Sequence, residues 1–537
     1  AAAGESDQGR RTAAAVHRNL SRVEAHGERE GLARMSVFQG GCTRAAARAV
    51  SGASIRLLAN LVNKSLLRRD QESGRYEMHM LMQQFADERL SASADASEIR
   101  ARHAAYYLNA LADIEVDLKG KNQVETVDSI QSDFENVRVA WQWAFSHRMD
   151  DHLFKVIEPL QIYCQIHSRL QEELDMIRSL KEAIVDPRSR LAVLAEIHDI
   201  LLTYELHGFD HVLVERAESA LDRASALGDP LIVVRAQAAM GNVLIYAKRY
   251  ADGLPYLEKC LAYYEAIHDA YHQAGVLQDI GFACGFLGIT ERAKDANQRC
   301  LELNRQIGNL YGIAAVLNNL DDGNHEEAYT LRKQLGDKRG VAWSGVTIAL
   351  VAVEEGDIEK AQRLIEEALQ IIEEINSPQA SSWVLIVYCY FLMVQERYDD
   401  LAQVVDRLER IPVSRTEMLA AIPLMRCACA LNASNYDLAR EYLKGVLAFE
   451  AVKGIHEEAG VLTAVILEHE GSPELALTLY TVGVSTWSSW RSVPLLNRTI
   501  TRIKATLSEE AYQQAADRAD HLTSDELLAI YEQLGLL

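Results

Sequence analysis

From about residue 190 onward, apolar positions recur three and four residues apart, in blocks that themselves repeat. The second helix of each block, helix B, is predicted to begin near Asp210, Tyr250, Thr290, Ile358, Tyr398 and Tyr436, at intervals of 40, 40, 68, 40 and 38 residues. Three positions into these helices stand Leu213, Gly253, Ala293, Ala361, Leu401 and Ala439, most of them small. Further along come the pairs Ala220-Leu221, Cys260-Leu261, Cys300-Leu301, Ala368-Leu369 and Val446-Leu447. Small residues let helix B lie close to helix A of its own block, and the apolar pair faces the next block. Gly228, Gly308, Gly336 and Asn376 close helices at matching places, with His268 in the equivalent position, because these positions need a left-handed residue. A stack of antiparallel helix pairs follows. No pair can bury its apolar faces alone, so the array must be continuous.

The blocks resemble tetratricopeptide repeats, lengthened from the usual period of about 34 to about 40. That resemblance implies a mainly α fold with a right-handed α-solenoid over residues 191–493. One block is short. Between Asn318-Asn319-Leu320 and Leu335-Gly336-Asp337 about 12 residues are missing relative to the period, although Ala328 keeps the small position. Either the repeat has decayed there or residues are missing from the chain at that point, and the second is favoured because clipped helices would expose apolar faces. Residues 494–537 fall outside the period. Leu507-Ser508-Glu509-Glu510 and Leu522-Thr523-Ser524-Asp525-Glu526 are predicted helix starts that close the last repeat.

The first hundred residues have a different pattern. Two helices around Gly40-Gly41, the second capped by Thr43, precede a third helix over Ser54–Ser65. Two strand-like pieces then flank a turn at Gln71–Gly74, and His79–Leu90 is again helical. Three helices and a β-hairpin describe a winged helix over residues 1–92, with a leading helix. The segments ARMSVFQGGCTRAAARAV, LLANLVNKSLLRRD and GRYEMHMLMQQFADERL resemble the winged helix of STAND-type signal-transduction ATPases, the NB-ARC class that includes NLR-like proteins. RHAAYYLNALADIEVDLKG and IQSDFENVRVAWQWAF resemble that family's helical bridge, here residues 93–190. The resemblance implies the C-terminal half of a bacterial regulator, with an N-terminal nucleotide-binding module in cis, ADP or ATP bound in the full-length protein, and oligomerisation on activation. A family Met-His-Asp motif that contacts ADP phosphate falls on Met78-His79-Met80, with Met80 in place of the acid. His79 is the implied phosphate contact, and a capping role is the alternative. No phosphate-cradling G-x-x-x-x-G-K-[ST] occurs, so no ATPase, catalytic residue or cofactor is expected within this chain.

Charge sharpens this picture. The net charge is -22, yet residues 1–103 sum to roughly +4 and the remainder to about -26. An acidic solenoid repels phosphates, which disfavours nucleic-acid binding by the repeats. The eight cysteines form no CxxC pair and no zinc spacing; they are expected as buried free thiols in a reducing cytoplasm. His456-Glu457-Glu458, Glu468-His469-Glu470 and Cys427-Ala428-Cys429 diverge around a helix, so no metal site is expected. The first two are predicted solvated faces. The apolar run Trp383–Val394 is too short to span a membrane. Helix A of such repeats lines the concave side. Arg235, Gln237, Asn242, Tyr246, Gln278, Asp279, Asn318, Asn319, Trp343 and Trp383 are therefore partner-binding candidates, the two tryptophans being equally readable as core. The expected function is a sensor arm that takes up a protein or small-molecule cue. The alternatives are a free-standing scaffold and a DNA-binding regulator acting through the winged helix.

Overall fold

The computed structural model describes residues 26–320, 324–375, 377–411, 416–449, 454–486 and 488–537. The expected leading helix before residue 26 and the Asn376 turn lie outside the described residues. The fold is all-helical and repetitive, with 28 α-helices and one two-stranded sheet among the described residues.

Three short helices open the chain: α1 (His26–Met35), α2 (Arg44–Ser51) and α3 (Ile55–Asn63). Thr43 caps α2, its Oγ1 accepting from the Ala46 amide at 3.1 Å. Strands β1 (Arg68–Arg69) and β2 (Tyr76–Glu77) pair antiparallel, and Cys42 bridges to Tyr76 as a third rung. Helix α4 (Met80–Ser91) follows. The bridging helices are α5 (Ala96–Asp113), α6 (Glu115–Leu118), α7 (Gln123–Ser146), α8 (Asp150–Ile166) and α9 (Leu170–Ala183).

Eight helix pairs then stack in order. They are α10 (Arg190–His207) with α11 (Val212–Leu227), α12 (Pro230–Tyr246) with α13 (Tyr250–Ala266), α14 (Ala270–Phe286) with α15 (Thr290–Ile307), and α16 (Leu310–Leu317) with α17 (His325–Leu335). After these come α18 (Lys338–Glu355) with α19 (Ile358–Ile375), α20 (Pro378–Val394) with α21 (Tyr398–Glu409), α22 (Thr416–Asn432) with α23 (Tyr436–Leu447), and α24 (Ile455–His469) with α25 (Pro473–Thr486). Five of the six anticipated helix B starts fall on the observed first residue, and the sixth, at Asp210, is two residues early.

The period has a local cause at both turns. Helix A ends at a residue of positive φ: Gly208, Lys248, Gly288, Gly356, Glu396 and Ser434. Helix B ends likewise at Gly228, His268, Gly308 and Gly336. After these four the next residue caps the following helix A through its side chain: Asp229, Asp269, Asn309 and Asp337 accept from the amides of Leu231, His272, Gly312 and Gly340. Ser377 caps α20 in the same way, accepting from the Ala380 amide. A left-handed residue followed by an acceptor side chain stops one helix and starts the next within two residues.

Packing follows the small positions. Ala361, Leu401 and Ala439 are completely buried. At Gly253 an added Cβ would sit 2.9 Å from the Gly241 carbonyl oxygen, so α12 and α13 touch backbone to backbone. Ala220, Cys260, Cys300 and Val446 have no exposed surface, so their helices present a continuous apolar flank to the next pair. On the outside, cation–carboxylate pairs join successive B helices at a sequence offset of 34: Arg292–Glu258, Arg299–Glu265, Lys360–Glu326, Lys333–Glu367 and Arg407–Glu373. For the three pairs between full-length blocks the offset falls six residues short of the 40-residue period, which corresponds to a stagger of about 9 Å between neighbouring B helices. Such exposed pairs contribute about 0–1 kcal/mol each. They set register more than stability.

The chain end closes the stack. After a 3-10 turn (Ser488–Ser492), α26 (Pro494–Thr506), α27 (Glu509–His521) and α28 (Ser524–Gln533) pack on the last pair. Ser508 caps α27, and Thr523 with Glu526 forms a reciprocal capping box on α28. The Tyr531 hydroxyl donates to the His456 carbonyl. The expectation of a solvated face at His456-Glu457-Glu458 is corrected here. Glu458 is held against this cap by the Trp490 indole N–H at 3.0 Å, and burial pushes its carboxyl up to about 7. Seven of the eight cysteines are buried, and all eight are free. Among the described residues no helix is long and apolar enough to cross a membrane.

One buried pair makes stability depend on pH. Glu173 of α9 has no exposed surface and neither carboxyl oxygen has a hydrogen-bond partner; His198 Nδ1 of α10 lies 4.0 Å away. Burial pushes Glu173 from 4.5 up to about 8 and His198 from 6.5 down to about 3. The histidine's contribution is present above 6.5 and lost as pH falls toward 3. That of the neutral carboxyl is present below 4.5 and lost as pH rises toward 8. Between pH 6.5 and 8 only the acid of this pair changes. The chain is expected to lose stability over that interval. Glu173→Gln should reduce the loss by roughly 1 kcal/mol or more in denaturant melts at the two pH values; an unchanged difference would refute the assignment.

Candidate functional site

The helix A side chains singled out by sequence do not converge on one pocket. They fall into small sets along the inner face, and part of that face is already occupied. Arg235 of α12 is paired with Glu158 of the bridging helix α8. The same carboxylate takes Lys119 at 2.6 Å and His272 at 2.8 Å, and His272 Nδ1 meets Asp269 at 2.6 Å. These cations hold Glu158 well below the usual carboxylate range despite its burial. Lys119 also lies 5.0 Å from the Tyr271 ring centroid. Beside this cluster a cavity of about 400 Å³ is lined by Phe154, Lys155, Glu158, Leu231 and Arg235, among others.

Further along, Tyr246 stacks on Tyr204 with centroids 3.3 Å apart. The Asn242 side chain hydrogen-bonds Asp279, whose carboxyl burial pushes up to about 7. Gln237 and Gln278 are half-buried. Asn318 donates to the Ser344 hydroxyl at 3.4 Å and leaves its own Oδ1 buried without a partner. Trp343 and Trp383, both half-buried, stack at 5.3 Å, and the Trp383 indole N–H has no acceptor. Asn319 is exposed.

Sequence reasoning missed the groups that close the inner face. The turn between α15 and α16 seats on the start of α7, 186 residues earlier in the chain. Gln123 has no exposed surface. Its Nε2 donates to Asn309 Oδ1 at 3.0 Å and to the Leu118 carbonyl at 2.8 Å, and its Oε1 accepts from the Tyr311 amide at 3.0 Å. Asn309 Nδ2 donates in turn to Asn304 Oδ1 at 2.8 Å. The backbones meet as well. A Cβ on Gly308 would lie 2.9 Å from Lys121 Cα, and one on Gly120 would lie 3.1 Å from the Ile307 carbonyl oxygen. Glu205 of α10 and Arg339 of α18 form a second crossing at 3.4 Å. Leu335 of α17 belongs to the apolar core that the bridging helices share with the first pairs. The solenoid thus curls back onto its own bridge, closing a ring from α7 through the first three helix pairs to the turn before α16.

Helix α7 carries a second polar junction. Asn136, fully buried, accepts from the Gln39 amide at 2.9 Å, donates to the Gly41 carbonyl at 3.0 Å and meets His103 Nε2 at 3.1 Å. Arg75 of the hairpin turn pairs with Asp133 at 2.6 Å and donates to Gly41 at 3.1 Å. Gly41 has φ +83°, and a Cβ there would sit 2.8 Å from the Tyr76 carbonyl oxygen, so the turn cannot move independently of the hairpin. One helix of 24 residues therefore grips the repeats at Gln123 and the N-terminal unit at Asp133 and Asn136. The two grips are about 20 Å apart along its axis.

His79 stands exposed at the N-cap of α4, where its Nδ1 accepts from the Leu81 amide at 3.3 Å. That bond leaves the ring proton on Nε2. Met80, in the position of the family acid, is 68 % exposed.

No known family profile matches the chain. Over 325 residues it is 26 % identical to candidate HTH-type transcriptional regulators of Mycobacterium tuberculosis and Mycobacterium bovis, covering 56 % of this chain and 36 % of theirs. The chain thus spans about a third of the length of those relatives. Among solved structures it is similar to a STAND protein with a tetratricopeptide repeat sensor from Pyrococcus horikoshii, at 14 % identity and TM-score 0.41, covering 93 % of this chain and 66 % of that one. It is also similar to the apo form of RapI, at 13 % identity and TM-score 0.42, covering 64 % and 98 %, and to yeast Tom70, at 12 % identity and TM-score 0.30, covering 80 % and 99 %.

Removing the Gln123 amide strands the Tyr311 amide and one Asn309 bond in a buried site, a cost of about 2 kcal/mol or more. Gln123→Ala is expected to open the ring, raising the radius of gyration in small-angle X-ray scattering while helix content by circular dichroism holds. An unchanged scattering profile would show that the crossing does not hold the ring.

Proposed function

We propose that this chain is the partner-binding arm of a signalling regulator. In this reading a protein or peptide cue takes up the inner, helix A face, and the N-terminal unit acts as a winged helix of the STAND kind. The observation that carries it is α7, one rigid element fastened at both ends by buried polar contacts. A cue that loosens or tightens the Gln123 grip acts on the same helix that holds Gly41 and Arg75. Asn318 Oδ1 and the Trp383 indole N–H are unpaired, and Trp343 stacks on Trp383, so these three are the part of the candidate surface left for a partner. Arg235 is spoken for until the bridge moves.

His79 fits an ADP phosphate contact within a longer protein: its side chain is exposed, its outward nitrogen carries the proton, and it stands at the positive end of a helix. Met80 cannot repeat the hydrogen bond of an acid, so His79 and the first amides of α4 are the groups left for that role. Nucleotide would enter from a module outside this chain.

The relay is testable on the chain itself. Gly308→Ala forces a Cβ into the Lys121 backbone and should release the Gln123 grip. Hydrogen exchange is then expected to rise at the Asn309 turn and also at the Gln39 amide, which Asn136 holds. A rise confined to residues 307–312 would leave a scaffold without a relay.

A second reading is direct DNA binding by the N-terminal unit. The similarity to mycobacterial HTH-type regulators and the exposure of Arg44, Arg48, Arg56, Arg68 and Arg69 favour it. If five phosphates are neutralised, DNA affinity should fall with salt at a log–log slope near about -4.5. A slope near zero, or no binding at low salt, removes this reading.

A further inference from the structure

The clipped pair leaves a groove, and we propose that it receives an amphipathic helix from a partner protein, laid in as the missing half of a helix A. The inference rests on the repeats being a binding arm but not on the relay through α7.

Helix α16 has 8 residues, whereas α12 and α14 have 17 and α18 has 18. In a regular pair the second half of the next helix A lies along the C-terminal half of the preceding one. Here α16 stops after Leu317, nine residues or about 14 Å of helix short of α12 and α14. A cavity of about 360 Å³ opens in that place, between the end of α14, the start of α15 and Asn319-Leu320. Its walls show the consequence. Phe282 and Phe286 are 47 % and 38 % exposed, whereas Asn242 and Tyr246, one period earlier, are half-buried under α14. Leu287 and Ile289 beside them are 38 % and 43 % exposed.

The groove is preformed for a helix. Phe282 and Phe286 face each other at 4.8 Å, and Tyr250 stacks on Phe286 at 5.0 Å, which fixes the rings in place. Gly285 has open space where a side chain would begin. The floor is not wholly apolar. Asn297 is only 8 % exposed, lies against Gly281, and its Oδ1 has no hydrogen-bond partner; one period earlier the same site is Leu257, completely buried against Gly241. That oxygen is enclosed between α14 and α15, so the face left for an occupant is the apolar one. The partner segment is therefore a helix with apolar residues at i, i+3 or i+4 and i+7. Its axis continues that of α16, so the contact extends an interface the repeats already make.

The probe is a fluorescent, side-chain-crosslinked helical peptide with the sequence of Lys338–Glu355, the next full-length helix A, which carries apolar residues at helical spacing. Saturable binding to the full chain is expected by anisotropy. Phe282→Asp with Phe286→Asp should weaken it at least tenfold, and the milder Phe282→Ser with Phe286→Ser should weaken it while leaving the melting curve unchanged. Val212→Asp and Ile267→Asp, at exposed apolar sites elsewhere, should have no effect. Absence of saturable binding, equal binding of a scrambled peptide, or equal loss on the control variants would overturn the proposal. So would sedimentation showing a dimer that the Phe282/Phe286 variants dissolve, since a second copy would then be the occupant. Peptide binding alongside a failed relay in hydrogen exchange would leave the docking site standing and remove only the signalling role.

Discussion

A helix pair of this length has an apolar flank on each side, and folding within the pair can hide neither completely. Every feature of the chain follows from the need to cover those flanks. Small residues at the third position of helix B let the two helices of a pair close up, as Gly253 does against Gly241. A left-handed residue followed by a capping side chain then turns the chain in two steps, so the next pair arrives in contact rather than on a tether. Burial is continuous from pair to pair, and three places need special treatment: the two ends and the clipped pair. The bridging helices cover the first, the C-terminal helices cover the last, and the third is left open at Phe282 and Phe286.

The cover at the first end does more than bury surface. The bridge meets the turn after α15 through Gln123, Asn309 and two glycines beside the apolar Leu310 and Tyr311, and it meets α12 through a carboxylate shared by three cationic or basic side chains. The polar part of this contact exchanges its bonds for water when it opens, so its net stabilisation is small even though each unmade bond would be costly in the closed state.

Much of the fold could be read from the chain because its causes are local and repeated. Tyr250, Thr290, Ile358, Tyr398 and Tyr436 begin helices because a turn residue and a fixed apolar phase recur before each. Thr43, Ser508 and Thr523 announce caps by side-chain chemistry within three residues. The junction acceptors Asp229, Asp269, Asn309 and Asp337 carried the same signal, one position after glycines and a histidine already singled out. The site was less readable. Gln123 and Asn309 are 186 residues apart, and nothing periodic ties them; a lone polar residue among apolar ones does not name its partner. Glu158 gave a hint, as an acid between Ile157 and Pro159 in an otherwise apolar run, but its mates Lys119, Arg235 and His272 come from three other elements. Trp343 and Trp383 stayed ambiguous because a stacked pair that is half-buried serves both as core and as surface.

In the proposed reading the same geometry limits what a cue must do. A ligand with equal affinity for the ring closed or open shifts nothing, however tightly it binds. The inner face offers a difference in affinity because the bridge competes for it: Arg235 is paired with Glu158 when the ring is closed and becomes available only when the bridge leaves. A cue that uses Arg235 must therefore favour the open ring, whereas one confined to Trp343, Trp383 and the groove at Phe282 can bind either state. Reversing a closure populated at about 99 to 1 requires roughly 5.5 kcal/mol of differential affinity. Acidic groups on a cue that replace Glu158 at Arg235 and His272 are the chemistry on this surface able to supply a large part of it, because they recover bonds the opened ring has lost. In the proposed reading, the regulatory range of the arm is set less by how tightly a partner grips the repeats than by whether it takes over the bridge's contacts.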